Sequence, residues 1–214
     1  MRLLRKLSPL LLVPVSVAAC GGQPGPQFLQ PYFGDPYLGE VRVRVDAPEE
    51  AHAGSSDRGR GSAHFMEEDG KTRFVVAGSF GEAGDAGFTV DGAYEGQAWV
   101  SESGGVRLEI GPDGTIAGGG IAHPHRLEFS GNVSETRLEL DVDLETLEAN
   151  PNGLPAGTRF AFHYDLERGT EEPPGDAGGN DAEAACNRIE WRLKNVPNLS
   201  GGAMGLVRVP VCRD

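Results

Sequence analysis

The sequence contains few cysteines and few basic residues. Three cysteines occur among 214 residues, and no two of them stand in the Cys-x-x-Cys spacing of a thiol redox motif. Lysine and arginine total 19 against 32 aspartates and glutamates, which gives a formal net charge of −13. Nucleic acids are bound largely through neutralisation of their phosphates by basic side chains, so this acidic chain is not expected to bind nucleic acid. We interpret the acidity as a source of solubility.

The sequence also lacks the motifs of several common catalytic and binding sites. It has no phosphate-binding loop. The nearest match to a Gly-x-Ser-x-Gly nucleophile elbow centres on Ser79 but has Ala77 in place of the first glycine. A segment similar to a calcium-binding EF-hand loop starts with Glu148 instead of aspartate and carries Arg159 where the final bidentate glutamate is needed. We therefore expect a protein that is not an enzyme and that uses no cofactor.

The apolar run near the N-terminus is too short to cross a bilayer. It extends from Leu10 to Val17 and is interrupted by Pro14, whereas a spanning helix needs about 20 apolar residues. The residues before it are basic: Arg2, Arg5 and Lys6. A positively charged start, a short apolar region and then small residues are the layout of a secretory signal peptide. The sequence therefore predicts an exported protein.

The end of this apolar run has a specific pattern, Val17-Ala18-Ala19-Cys20. It resembles the lipobox of bacterial lipoproteins. The resemblance covers only residues 1–20 and implies that a diacylglycerol is attached to the sulfur of Cys20 and that residues 1–19 are removed. Several acyl chains give a stable membrane anchor where one chain does not. Gly21, rather than aspartate, follows the cysteine, which by the same resemblance favours the outer membrane over the inner one.

The two remaining cysteines form an even pair in an oxidising compartment, so we expect a disulfide between Cys186 and Cys212. The sequence between them reads as two strands joined by a turn at Asn198-Leu199-Ser200. A hairpin centred on Leu199 sets Cys186 opposite Cys212, Ile189 opposite Val209 and Trp191 opposite Val207. Such a bridge contributes on the order of 3 kcal/mol to stability.

From Val41 onward, apolar residues recur with a period of two, which is typical of half-buried antiparallel strands. The clearest segments begin at Val41, Val106, Leu138, Phe160 and Ile189. Turn signals such as Asp69-Gly70 and Asn152-Gly153 separate the candidate strands, and no segment keeps a helical period for three turns. We therefore predict an all-β fold, an antiparallel up-and-down barrel or a β-sandwich of about 10–12 short strands.

The composition divides the chain into three parts. Residues 1–19 form the signal peptide, residues 20–40 a lipidated and flexible tether rich in Gly, Pro and Gln, and residues 41–214 a single all-β domain. The aromatic residues of the tether, Phe28, Tyr32, Phe33 and Tyr37, could dock on the domain or lie in the headgroup region of the membrane. Two segments are expected to be exposed loops, Glu49–Gly61 and a mobile acidic loop at residues 169–182.

Three histidines are candidate metal ligands. His123 and His125 lie two residues apart, which places both imidazoles on one face of a strand, and His163 lies on another predicted strand. No carboxylate stands at a ligand spacing beside them, and Pro124 between the first two indicates a turn or a strand edge. We therefore predict no metal site and a solvated turn at this place.

Acidic residues alternate with leucines and valines in the predicted strand around Asp141 and Asp143, with Glu139 and Glu145 on the same side. Such a row could bind calcium, but it is also the ordinary solvated face of an amphipathic strand. We favour the solvated face. Trp99 and Trp191, the only tryptophans, are expected in the core rather than on a sugar-binding surface.

We favour the function of a non-catalytic structural or protein-interaction module of the cell envelope. Such a module would be bound to the membrane through its lipid, and its partner could be another envelope protein. The alternative is a β-barrel carrier of a small apolar ligand, which requires an interior not filled by Phe and Trp. A hydrolase of envelope polymers ranks third. The sequence identifies no small-molecule ligand.

Overall fold

The structure, a computed structural model, describes residues 28–48, 54–68, 70–80, 84–149, 154–169, 189–199 and 203–212. Within these ranges its regular structure is a 3-10 turn at Gln30–Tyr32 followed by twelve β-strands. The strands are β1 (Tyr37–Asp46), β2 (Ser55–Glu68), β3 (Lys71–Ser79), β4 (Asp85–Glu95), β5 (Ala98–Ser103), β6 (Val106–Ile110), β7 (Thr115–Ala122), β8 (His125–Val133), β9 (Arg137–Thr146), β10 (Arg159–Arg168), β11 (Ile189–Asn198) and β12 (Ala203–Cys212).

The first ten strands form a closed antiparallel barrel. Each of these strands pairs with its neighbour in sequence, β1 pairs with β10, and the β4–β5 pairing completes the ring. This up-and-down order confirms the predicted all-β antiparallel barrel and decides between barrel and sandwich. We call the end where β1 begins and β10 ends the near end, and the opposite end the far end.

Alternation along the strands places apolar side chains inside the barrel. In β9 the residues Leu138, Leu140 and Val142 are buried, whereas the acidic residues between them are exposed. The same pattern in the other barrel strands produces one continuous core with many aromatic members. The largest fully buried side chains include Trp99, Tyr37, Phe74, Leu108, Ile110, Ile116 and Leu166.

The barrel includes segments that the sequence pattern assigned to loops. β1 begins at Tyr37, and residues 28–36 pack on the barrel, so residues 28–40 are not part of a flexible tether as predicted. Of the two alternatives for the aromatic residues, the structure shows docking on the domain: Tyr32 and Tyr37 are buried in the core, and Phe28 and Phe33 pack against it. β2 begins at Ser55 within the loop predicted at Glu49–Gly61. This polar, Gly-rich part of β2 has little apolar alternation because its strand geometry comes from backbone pairing with β1.

The hairpin of β11 and β12 packs on the outside of the barrel, over β2, β3 and β4. A small second core lies between them, in which Val196, Val207 and Val209 of the hairpin meet Val75 and Ala77 of β3. The tip of the hairpin reaches β4, where Asn198 bridges Thr89 and the Leu199 amide donates to the Thr89 carbonyl at 2.9 Å.

This tip covers a seam in the barrel wall. β4 and β5 pair at three positions, all beyond Gly92, so the first part of β4 continues past the pairing with β5. Leu199 packs against the barrel core at this place. The hairpin therefore supplies the part of the wall that β5 leaves open.

The hairpin exists as predicted, but its predicted register is wrong by three positions. Ile189 pairs with Cys212 and Trp191 with Pro210, instead of with Val209 and Val207. Because the shift is odd, Ile189 and Trp191 lie on the face of the hairpin opposite to Val207 and Val209, instead of on the same face. The observed register buries the valines against β3, a surface that the periodicity of the hairpin alone does not reveal.

Several predictions concern residues outside the described ranges. The signal peptide, Cys20 and the first part of the tether lie there, as do most of the acidic loop at 169–182 and Cys186. The Cys186–Cys212 disulfide therefore stays a prediction. In the part of the chain that the structure describes, no helix has the length and hydropathy needed to cross a membrane.

Candidate functional site

The three candidate histidines lie at different places on the barrel. His163 is on the outer face of β10, where its Nδ1 contacts an Asp141 carboxylate oxygen at 2.7 Å. His123 is in the β7–β8 turn at the far end, with Nε2 at 3.2 Å from Glu148. His125 begins β8 and faces inward. Among the described residues, no three His, Cys, Asp or Glu side chains are grouped as metal ligands would be.

Both exposed histidines have a carboxylate neighbour that their local sequence does not indicate. Asp141 reaches His163 because β9 and β10 pair these two positions directly. Glu148 reaches His123 because the segment after β9 runs past the turn, where the Leu147 amide donates to the Pro124 carbonyl at 2.8 Å. Strand pairing between distant segments creates these contacts, so short sequence spacing could not predict them.

The acidic row of β9 is the solvated outer face that the sequence predicted. Glu145 accepts from Arg126 at 2.7 Å, and Glu139 pairs with Arg137 at 2.7 Å. Asp141 pairs with His163. Exposed pairs of this kind contribute little to stability. Their arrangement neutralises the row locally instead of concentrating negative charge as a calcium site would.

Residues 28–36 close the near end of the barrel, and we call this segment the plug. Leu29 and Tyr32 are buried in the core, and the Leu29 amide donates to the Tyr94 hydroxyl at 3.3 Å. The Tyr37 hydroxyl, at the start of β1, donates to the Ser134 carbonyl at 2.7 Å, and burial raises its pKa to about 12. The near end is therefore sealed by side chains.

The guanidinium of Arg168, the last residue of β10, holds the plug in place. It donates to the carbonyls of Pro31 and Phe33, and to the Glu135 carbonyl at 3.3 Å. It also lies over the Tyr37 ring, 5.9 Å from the ring centroid. A planar group with several donors can satisfy carbonyls from separate segments, which explains why arginine serves here.

Aromatic rings fill the interior of the barrel. Phe65 and Phe74 stack at 4.5 Å between centroids, and Phe88 packs against Phe129 at 5.4 Å. Trp99 is fully buried, as predicted, and its indole occupies the space left by Gly92, where a Cβ atom would lie 2.4 Å from the ring. These contacts make the interior a packed core.

Toward the far end the inward-facing side chains are less covered. Val43, Leu144 and Phe162 are half-buried and pack on the core from this side. Nδ1 of His125 and Oγ1 of Thr146, which face each other across β8 and β9, are buried without a hydrogen-bond partner among the described residues. Buried polar atoms of this kind are commonly satisfied by water.

A depression of about 610 Å³ lies on the outer wall, and we call it the arginine groove. Arg42 and Arg44 of β1 and Arg58 of β2 line it, together with His163 and Asp57. Strand pairing sets Arg42 directly opposite both Arg58 and His163. Glu40 pairs with both Arg42 and Arg58, and Arg44 bonds Asp46 at 3.1 Å.

This groove was not predicted from the sequence, because Arg58 lies in a segment assigned to a loop. The alternation of Arg58 and Arg60 with Gly59 and Gly61 is the signal that could have identified it. A strand interpretation of that alternation places both arginines on the outer face beside those of β1.

A second depression, of about 450 Å³, lies on the outer wall at β7, β8 and β9, and we call it the glycine groove. Gly118, Gly119 and Gly120, which carry no side chains, form its floor. Arg126, Glu128 and other polar residues of β8 line its side. Both depressions thus lie outside the barrel.

The contact between the hairpin and the barrel contains a buried histidine that was not among the residues predicted from the sequence. His64 of β2 faces outward but is covered, and its ring meets the Trp191 ring edge-on at 5.2 Å between centroids. Burial lowers the His64 pKa to about 4. Nearby, Lys194 of β11 bonds Asp85 of β4 at 2.6 Å, and this hydrogen bond lowers the Asp85 pKa.

Trp191 is not a core residue, which corrects the prediction. Its side chain is 46% exposed, and Leu193 on the same face of β11 is 62% exposed. The shifted register causes this, because it buries the alternate face of the strand.

No protein-family model matches this sequence, and no curated protein matches it. The function is therefore inferred from the barrel, its plug and its outer surface.

Proposed function

We propose that the protein is an exported bacterial lipoprotein, anchored through lipid on Cys20 to the outer membrane, that acts as a non-catalytic interaction module of the cell envelope. The packed and plugged barrel interior is the observation that carries this proposal. A solid barrel is a rigid support, and the depressions on its outer wall are the places where a partner can bind.

The carrier alternative has less support. A small apolar ligand needs a cavity of several hundred Å³ within the barrel. The stacked Phe65 and Phe74 rings and the buried Trp99 occupy that volume, and Leu29 and Tyr32 of the plug close the near end. The half-buried side chains at the far end are the one place where an apolar chain could begin to enter.

The hydrolase alternative also has less support. Hydrolysis of a polymer by paired carboxylates needs two acidic groups across a cleft, one of them with a raised pKa. Among the described residues, the carboxylates of the β9 row lie on a convex wall, and Glu139, Asp141 and Glu145 face cationic or imidazole partners.

The anchor is tested by replacing the lipidated residue. We expect that Cys20→Ala abolishes incorporation of labelled palmitate and leaves the uncleaved precursor, because the sulfur atom is the acceptor that processing requires. The matched control is Cys186→Ala, which should label and mature normally. Uptake of labelled fatty acid by the Cys20→Ala protein would refute the anchor.

The interaction role is tested by cross-linking in the native host. A photoreactive amino acid is placed at Arg44 in the arginine groove, at Ser130 in the glycine groove, or at Glu102, which is exposed and lines neither groove. We expect a discrete cross-linked protein from one groove and none from Glu102. Native mass spectrometry of the purified protein distinguishes the alternative, since a tightly held small molecule without any cross-link would favour the carrier.

A further inference from the structure

We propose that the outward face of the β11–β12 hairpin rests on the lipid surface of the membrane that anchors the protein, and so orients the barrel. We call this face, formed by Ile189, Trp191, Leu193 and Arg208, the hairpin face. The inference rests on the proposed lipid anchor.

The hairpin face exposes most of the large apolar surface found among the described residues. Among the described residues, three large hydrophobic side chains are exposed: Leu193 at 62%, Ile121 at 47% and Trp191 at 46%. Two of the three lie on the hairpin face, two residues apart on one strand. Tryptophan is favoured at membrane–water interfaces because its ring is both apolar and a hydrogen-bond donor.

The charge of the hairpin fits a phospholipid headgroup layer. Arg208 lies opposite Leu193 on the hairpin face, is exposed, and forms no ion pair among the described residues. Arg192 pairs with Glu190 and Lys194 with Asp85 of β4, so among the described residues of the hairpin Arg208 is the cation left for an outside partner, within a chain whose net charge is −13. An arginine beside apolar residues can keep its charge at the headgroups while its stem stays on the apolar surface.

The position of the hairpin face matches the position of the anchor. Gly169, which follows β10 at the near end, lies beside the side chains of Ile189 and Leu38, and its amide donates to the Pro36 carbonyl at 2.9 Å. The start of β11 is therefore next to the end of the plug at the near end, and Phe28, where the tether joins the plug, lies at the same end, with its ring centroid 5.5 Å from that of Tyr94. Residues 20–27, fully extended, span at most about 27 Å, so lipid on Cys20 keeps the near end close to the membrane surface.

The Trp191 ring is held in place before it meets lipid. Its edge-on contact with buried His64 fixes one side of the indole against β2. An ordered aromatic residue loses less side-chain entropy on binding than a mobile one does.

The two tryptophans make a direct test possible. Trp99 is fully buried in the barrel and Trp191 is half-exposed, so lipid-dependent quenching reports on Trp191. The mature protein, with Cys20 replaced by serine and a histidine tag before it, is held on vesicles of chain-brominated phosphatidylcholine through a nickel-chelating lipid. We expect the Trp191 emission to shift to the blue when the protein is held on vesicles. We also expect its intensity to be lower on brominated vesicles than on vesicles without bromine.

The matched control moves the reporter to the other exposed apolar position. In Trp191→Phe combined with Ile121→Trp, the indole is placed at the far end of β7, and we expect no bromine-dependent loss of emission. Quenching at neither position, or equally at both, would overturn the inference.

The tag supplies the anchor in this experiment, so its outcome does not depend on native lipidation. A protein that lacks lipid on Cys20 but is quenched at Trp191 contradicts the proposed anchor and retains a membrane-binding face. A lipidated protein that shows no quenching contradicts the hairpin face alone.

Discussion

At the near end of the barrel, a few individual residues determine whether the plug stays in place. Arg168 connects the carbonyls of two segments that are distant in sequence, the plug and the β8–β9 turn. Gly114, in the β6–β7 turn, adopts a φ of 80°, and the Val133 amide donates to its carbonyl at 2.9 Å. The composition of the sequence gives no hint of either role, because each depends on a neighbour brought in by strand pairing.

Arg168→Ala is expected to lower the free energy of unfolding by about 2 kcal/mol, because three carbonyls, one of them part-buried, lose a charged donor. Urea unfolding measures the change. The control is Arg159→Ala at the other end of β10, where the exposed guanidinium lies 3.9 Å from Glu145; this variant should be near neutral. Equal effects of the two substitutions would contradict the role of Arg168 in holding the plug.

Gly114→Ala should be more harmful than Gly96→Ala. Both glycines have positive φ, at 80° and 63°, so each substitution incurs about 1 kcal/mol of backbone strain. At Gly114 the new Cβ would also lie 1.9 Å from the Val133 carbonyl oxygen, whereas nothing lies within 4 Å at Gly96. Thermal unfolding of the two variants should separate strain from collision, and matching losses of stability would show that the loop simply moves.

At the scale of single elements, alternation in the sequence predicts those strands that bury one face against the core. β6 has the predicted pattern from Val106 to Ile110. The start of β2 was assigned to a loop because its strand geometry comes from pairing with β1 and not from its own apolar residues. The predicted register of the hairpin is wrong for a related reason, since the surface of β3 that determines the register lies more than a hundred residues earlier in the chain.

Acidification should weaken the docking of the hairpin through His64. The folded pKa of about 4 is below the ordinary value of 6.5. The undocked state therefore binds the proton more readily, and stability falls as pH decreases from 6.5 to about 4. The full effect is about 3 kcal/mol.

His64→Phe keeps a ring against Trp191 and removes this titration, so unfolding free energies should fall less steeply with acidity than in the parent protein. His163→Phe serves as control, because it removes an exposed imidazole and should leave the steep dependence intact. A variant at position 64 that follows the parent curve would show that other groups cause the acid sensitivity.

At the scale of the whole molecule, the weakest part of the barrel wall is the β4–β5 seam. These strands pair at three positions, compared with nine between β8 and β9. The sequence predicts the strand number and the up-and-down order through its turns. It does not predict the position of the seam, since Thr89, Gly104 and Leu199 meet there from three separate segments.

Peptides covering β4 and β5 should exchange amide hydrogens faster than those covering β8 and β9. Leu199→Ser should increase exchange at the seam further, because Leu199 packs on the core there, and should leave β8 and β9 unchanged. Uniform exchange over the ten strands would contradict a local opening at this place.

The way in which the wall is completed also constrains when the protein can fold. β1 can find its second partner only after β10 exists, and the seam is covered by strands made later still. Contacts between such distant parts of a chain form slowly. A polypeptide that enters an export channel from its N-terminus therefore presents an incomplete sheet until its last segment has passed through. For an exported protein, late completion would keep the chain unfolded enough to pass through the channel. The unpaired edges of β1 and of the growing sheet would then be the surfaces that a chaperone must protect.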